Sequence, residues 1–123
     1  MATWDKSTRQ GLPHEKMLPV VVRTGIVSTS AQKVWDNPSN LPALAKMFLT
    51  NKSASAITFC LYVVDDGETP GSEDLIAKDV SLNAKETMSY PDGELWIPEG
   101  GELWVSAGTA DALILYFQGK HYV

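Results

Sequence analysis

At 123 residues the chain fits one domain, and a hydrophobic fraction of 44% supplies a core that needs neither metal nor disulfide to fold. Its formal net charge of -5 argues against a nucleic-acid partner, because such binding draws on Lys and Arg neutralising phosphates. Cys60 is the only cysteine, which excludes an intrachain disulfide; with no signal peptide and no apolar run of bilayer length, synthesis in a reducing cytoplasm without a membrane partner is expected.

Residues 1–17 are polar, contain Gly11 and Pro13, and show no sustained period. Such a stretch has too little apolar surface to offset its own ordering entropy. It is expected to be an extended N-terminal arm, with Trp4, Leu12 and Met17 as partner-binding anchors, ahead of a β-sandwich domain over 18–123. Residues 20–29 are rich in β-branched side chains and predict a long strand, bulged at Gly25. Residues 32–36 continue it after a bend, and Asp36-Asn37-Pro38-Ser39-Asn40 is a dense turn signal.

Helix propensity competes only over 43–49. The polar turn at 50–53 and the strand at 56–64 favour strand there, as one arm of a hairpin with 56–64. Cys60 lies inside that second apolar run, where a free Cys behaves as a small hydrophobe. Residues 65–74 form a loop by composition. The carboxylates in it follow no EF-hand spacing, so a solvated loop is expected rather than a cation site.

Shorter strands follow at 75–82, 86–90, 94–97, 102–107 and 112–117, with turns at 83–84, 91–93, 98–101 and 108–109. Leu115-Tyr116-Phe117-Gln118-Gly119 has the look of a protease tag, but Leu113 stands where such a site needs an acid, and the alternation is that of a strand. Seven to nine short strands with no amphipathic helix predict an all-β fold, a single β-sandwich or jelly-roll-like domain.

Gly93-Glu94-Leu95-Trp96-Ile97 recurs as Gly101-Glu102-Leu103-Trp104-Val105. Alternation puts Leu95, Ile97, Leu103, Val105 and Ala107 on a core face, leaving Glu94, Trp96, Glu102, Trp104 and Ser106 opposite. In a hairpin closed at Glu99-Gly100-Gly101, Trp96 would face Trp104. Such a pair contributes only roughly 0.2–1 kcal/mol. Two outward tryptophans then fit cover by the chain's own loops, a partner surface, or a sugar-stacking site.

The catalytic inventory is thin. His14 and His121 lie near opposite ends of the sequence, and no nucleophile–base set, zinc motif or phosphate cradle is evident. No enzyme activity, cofactor or metal is expected.

The stretch 49–64, with Leu49-Thr50-Asn51-Lys52-Ser53 leading into Ile57-Thr58-Phe59-Cys60-Leu61-Tyr62-Val63-Val64, resembles a segment of small β-sandwich virion proteins of tailed bacteriophages. The order Val80-Ser81-Leu82-Asn83-Ala84-Lys85-Glu86-Thr87, followed by Leu95-Trp96-Ile97-Pro98-Glu99-Gly100-Gly101-Glu102-Leu103-Trp104-Val105-Ser106-Ala107, is similar to the same proteins. The resemblance implies a non-enzymatic structural component of a phage particle, made in the host cytoplasm and carried in the virion. Its partners would be the major capsid protein or other virion proteins. Self-association is also implied, a homotrimer being favoured. A capsid decoration or cement protein is the first expectation, and a collar, tail or fibre attachment protein the second. A carbohydrate-binding module of a receptor-binding fibre, stacking sugars on Trp96, Trp104 or Trp35, is a rival of a different class. A host-encoded adhesion or scaffolding sandwich is a third.

Overall fold

Alternate residues are buried along Ala43–Asn51: Ala43, Ala45, Met47, Leu49 and Asn51 are covered, and those between are half-buried. A period of two is that of a strand, so tertiary burial decides where helix propensity competed. The computed structural model describes residues 17–26 and 29–122. In chain order its strands are β1 (Met17–Ile26), β2 (Gln32–Asp36), β3 (Ala43–Asn51), β4 (Ile57–Val64), β5 (Leu75–Leu82), β6 (Thr87–Ile97), β7 (Glu102–Ala107) and β8 (Leu113–Tyr122). A short 3₁₀ turn at Ser72–Asp74 precedes β5.

The strands form two four-stranded antiparallel sheets, ordered β1-β8-β3-β6 and β2-β7-β4-β5. We call them sheets A and B. The pairing is nested: β1 with β8, β2 with β7, β3 with β6, and β4 with β5. Rolling that ribbon brings β3 beside β8 and β4 beside β7, which is the jelly-roll arrangement of a β-sandwich. Among the described links between consecutive strands, only β4–β5 stays within one sheet; the others cross between the two.

Several expectations need correction. The chain over 43–49 and 56–64 does not form a hairpin, because β3 belongs to sheet A and β4 to sheet B. Crossing over lets the buried faces of both strands meet in one core. Pro91-Asp92-Gly93 is not a turn between two strands but lies inside β6. The register of β6 on β3 jumps between Ala45↔Leu95 and Met47↔Tyr90, so the extra residues bulge out at a sheet edge, where Pro needs no ladder partner. No bulge occurs at Gly25, since β1 pairs with β8 without interruption. Residues 32–36 do not prolong the first strand; β2 lies in the other sheet. The arm expected over 1–17 falls outside the described residues except Met17, which opens β1 and pairs with Tyr122.

The core joins the inner faces of both sheets around Phe59, Phe117, Met47, Leu61, Leu103 and Leu115. Each such side chain contributes about 1.5–3 kcal/mol on burial. Trp35 closes one margin, its ring 5.0 Å from that of Phe117. Gly119 of β8 sits where a Cβ would lie 2.6 Å from the Leu44 carbonyl oxygen, so β8 is held close to β3 by the lack of a side chain.

Two buried asparagines hold the crossovers. Asn51 Nδ2 donates to the carbonyls of Ser55 (2.7 Å), Leu82 (3.1 Å) and Asn83 (3.1 Å), while its Oδ1 accepts from the Ser53 amide and hydroxyl. At the opposite end, Asn37 Nδ2 donates to the carbonyls of Leu41 (2.8 Å), Pro98 (3.1 Å) and Ile97 (3.3 Å), and Oδ1 accepts from the Ser39 amide. The same Asn-x-Ser spacing therefore ties the β3–β4 crossover to β5–β6, and the β2–β3 crossover to β6–β7. Replacing Asn51 by Ala leaves those carbonyls without a donor, and a loss of about 2–4 kcal/mol in urea unfolding is expected. Asn51→Asp keeps the acceptor but not the donors, and is expected to lose at least as much; a loss within experimental error in both variants would show the clamp to be dispensable.

Candidate functional site

The outer face of each sheet is set by the parity of its strands. On sheet A, inward Ala45, Met47 and Leu49 leave Leu44, Lys46 and Phe48 facing out. On β8, inward Leu113, Leu115 and Phe117 likewise leave Ile114, Tyr116 and Gln118 outward. Register then places Phe48 beside Tyr116 and Tyr116 beside Arg23. The Phe48 and Tyr116 rings are 6.2 Å apart. Arg23 stands 5.3 Å above the Tyr116 ring, and Lys46 Nζ lies 5.7 Å from the Phe48 centroid. These cation–π contacts keep two positive groups over an aromatic centre.

At the rim of the same face, Trp96 pairs with Leu44 and is 52% exposed, and Val21 of β1 is 62% exposed. Across the sheet, Lys120 stands beside Leu44. Among the described side chains of this face none is acidic, although the chain as a whole is. An apolar, aromatic, cationic surface lies on sheet A, with no described segment across it.

Sheet B presents a different surface. Trp104 lies between Lys33 of β2 and Tyr62 of β4. It does not face Trp96, because β6 and β7 belong to different sheets, and the expected tryptophan pair across a hairpin is absent. The two echo segments turn their core residues inward, as their alternation predicts, but from opposite sides of the core. Trp104 is half-buried, and its indole N–H donates to Glu102 Oε1 at 3.0 Å.

Alternation puts Glu102 on an outer face, and it does point that way, yet it is only 5% exposed. The loop after β4 folds over it: the Gly67 amide donates to Glu102 Oε2 at 3.1 Å, and Lys33 Nζ lies 3.8 Å from the same oxygen. Gly67 has a φ of 76°, a conformation in which its lack of a Cβ matters. Cys60 also faces outward, not into the core: Asp79, at a φ of 49° in a bulge of β5, donates its amide to Cys60 Sγ at 3.3 Å.

The remaining candidates separate. Trp4 and Leu12 lie outside the described residues, as does His14. Met17 is a backbone member of β1. Trp35 is half-buried and packs at the core margin, with His121 beside it, ring to ring at 6.3 Å. Asp36, Asp66 and Glu99 line an open groove of about 590 Å³ at the Asn37 end of the sandwich. Among the described residues no group of His, Cys, Asp or Glu side chains gathers closely enough to hold a metal ion, and no helix is long and apolar enough to cross a membrane. The scan of protein-family models and the search of curated proteins give no match to this chain.

Sequence reasoning missed Arg23, Lys46, Phe48 and Tyr116 as surface residues, although the parity of 43–51 contains the signal. It also missed the burial of Glu102, which depends on a loop conformation that no period encodes.

Burial opposes the charged form of Glu102, but the Gly67 amide, the Trp104 indole N–H and the Lys33 ammonium outweigh it and hold the carboxyl below its usual value. The folded pKa is thus depressed, so its stabilisation is present above the unfolded value, near about 4.3, and is lost as pH falls through the folded one. Glu102→Gln is expected to lower the melting temperature at neutral pH, with the difference from wild type narrowing as pH drops from about 5 towards 3. A difference independent of pH would show that the charge plays no part.

Proposed function

We propose that the chain is a non-enzymatic structural protein of a bacteriophage particle, most simply a capsid decoration or cement protein. Its partner is the major capsid protein or another virion protein. The observation that carries this reading is the outer face of sheet A, where Phe48, Tyr116, Leu44 and Trp96 present apolar surface that no described segment covers. Contiguous exposed apolar surface rimmed by polar groups is characteristic of protein contact. The jelly-roll arrangement agrees, since viral capsid domains use it, although lectins and cupins do too and the fold alone decides nothing. The resemblance to phage virion proteins covers roughly residues 43–118, from β3 into β8.

Residues 1–16 enter the domain through β1, an edge strand of sheet A. On this reading they order on a neighbouring particle protein and widen a small contact, while repetition on a symmetric lattice adds avidity. The collar, tail or fibre placement remains the second form of the same reading. Half-exposed Trp96 favours one other class, a glycan-binding module that stacks a sugar on the indole.

Removing residues 1–16 is expected to leave thermal unfolding nearly unchanged and to weaken attachment to purified particles of the encoding phage by roughly tenfold or more, measured by co-sedimentation. Undiminished attachment would overturn the role of the arm. Glycan-array binding that disappears in Trp96→Ala, with no attachment to particles, would replace the structural reading by the glycan one.

A further inference from the structure

We propose that the cationic outer face of sheet A binds the acidic end of a second copy of this chain, so that the protein associates head to tail. Two separate regions of one molecule are complementary. The first is the sheet A face, with Arg23 and Lys46 over Tyr116 and Phe48, Lys120 alongside, and no acid among its described side chains. The second is the Asn37 end, where Asp36, Asp66 and Glu99 are exposed around a groove open to solvent. Asp65 and Glu68 belong to the same loop as Asp66 and are also exposed.

Within the chain Asp36 already pairs with Lys33 at 3.6 Å, which leaves Asp66 and Glu99 as the charges offered to a neighbour. A like face would also repel its own copy, since Arg23 and Lys46 would meet Arg23 and Lys46. That disfavours the symmetric face-to-face dimer that an apolar sheet surface would otherwise form. A heterologous contact removes the repulsion and continues from copy to copy until a ring closes or a filament grows.

Area decides the strength. Four strands about 4.8 Å apart and eight residues of about 3.4 Å give a projected face of roughly 520 Å². Both sides together then bury about 1,000 Å², below the roughly 1,200 Å² of a stable complex, so charge must carry much of the association. The contact is accordingly weak as a single pair and sensitive to salt, because the charges at its rim are screened over about 8–10 Å at physiological strength. The particle contact proposed above uses the same face, so the two occupants compete for it; sedimentation of the isolated chain reads self-association alone.

Sedimentation velocity of the full chain tests the proposal. At about 0.05 M sodium chloride a closed oligomer or a concentration-dependent series is expected, and about 0.5 M salt is expected to weaken it roughly tenfold or more. Arg23→Glu with Lys46→Glu is expected to abolish association, as is Asp66→Lys with Glu99→Lys on the other side. All four substitutions in one chain restore it, because the complementary charges have exchanged places. Circular dichroism melts establish that each variant is folded; the substituted groups are surface charges, and a variant that fails to fold is replaced by its Gln or Asn counterpart. A protein monomeric at every concentration overturns the proposal, and so does association that ignores the charge reversals or is not recovered in the fourfold variant. A face-to-face dimer would respond to Arg23 and Lys46 but not to Asp66 and Glu99, and that result also overturns it.

Discussion

The architecture depends on how the chain crosses between its two sheets. At the crossovers between β2 and β3, β3 and β4, β5 and β6, and β6 and β7, carbonyl groups leave their ladders and face neighbouring turns rather than strands. Asn37 and Asn51 supply the missing donors, each from a buried amide that reaches its own turn and the end of a distant strand. A buried carbonyl without a donor costs as much as a lost hydrogen bond, so the sandwich closes only where these amides fit. The Ser two residues later fixes the amide orientation through its own backbone N–H. Both ends of the roll use one device, which is why its two halves can be wound so tightly with so few residues between strands.

From that frame, the two sheets acquire different exteriors. Loop residues after β4 settle on sheet B, because Glu102 offers two acceptor oxygens and Gly67 can present its amide in a left-handed turn. Val64, registered opposite Glu102, is buried as well. Sheet A receives no such cover from the described residues, and its aromatic rows are flanked by cations instead. The contrast arises from loop chemistry rather than from strand composition. One outer face thus stays uncovered by the described loops, while the other takes part in holding a loop in place.

Much of the fold was legible because alternation is a local property. The strands near 43–51, 57–64, 75–82 and 102–107 were readable from side-chain period, and the core residues Leu103, Val105 and Ile97 followed from it. What local period cannot supply is the choice of partner strand. The turn at 52–56 has the composition of a hairpin, yet Asn51 makes it a crossover, since its bonds go to Leu82 and Asn83 thirty residues on. Pro91 and Gly93 resemble a break, but an edge strand tolerates both inside a bulge. For the candidate surface, Trp96 was found by alternation, while Arg23, Tyr116, Phe48 and Lys46 became a group only when β1, β8 and β3 were placed side by side.

The nested pairing also orders the entropy of assembly. Thirteen positions separate Tyr62 from Leu75, where β4 meets β5, whereas 87 separate Ile26 from Leu113, where β1 meets β8. Closing the longer span first costs about 1.5–2 kcal/mol more, roughly a tenfold or greater kinetic handicap. Loop entropy therefore favours the inner hairpin as the first pair to form, and each later pair shortens the effective loop for the next. The same entropy favours outward zippering, with the β1 margin of sheet A closing last.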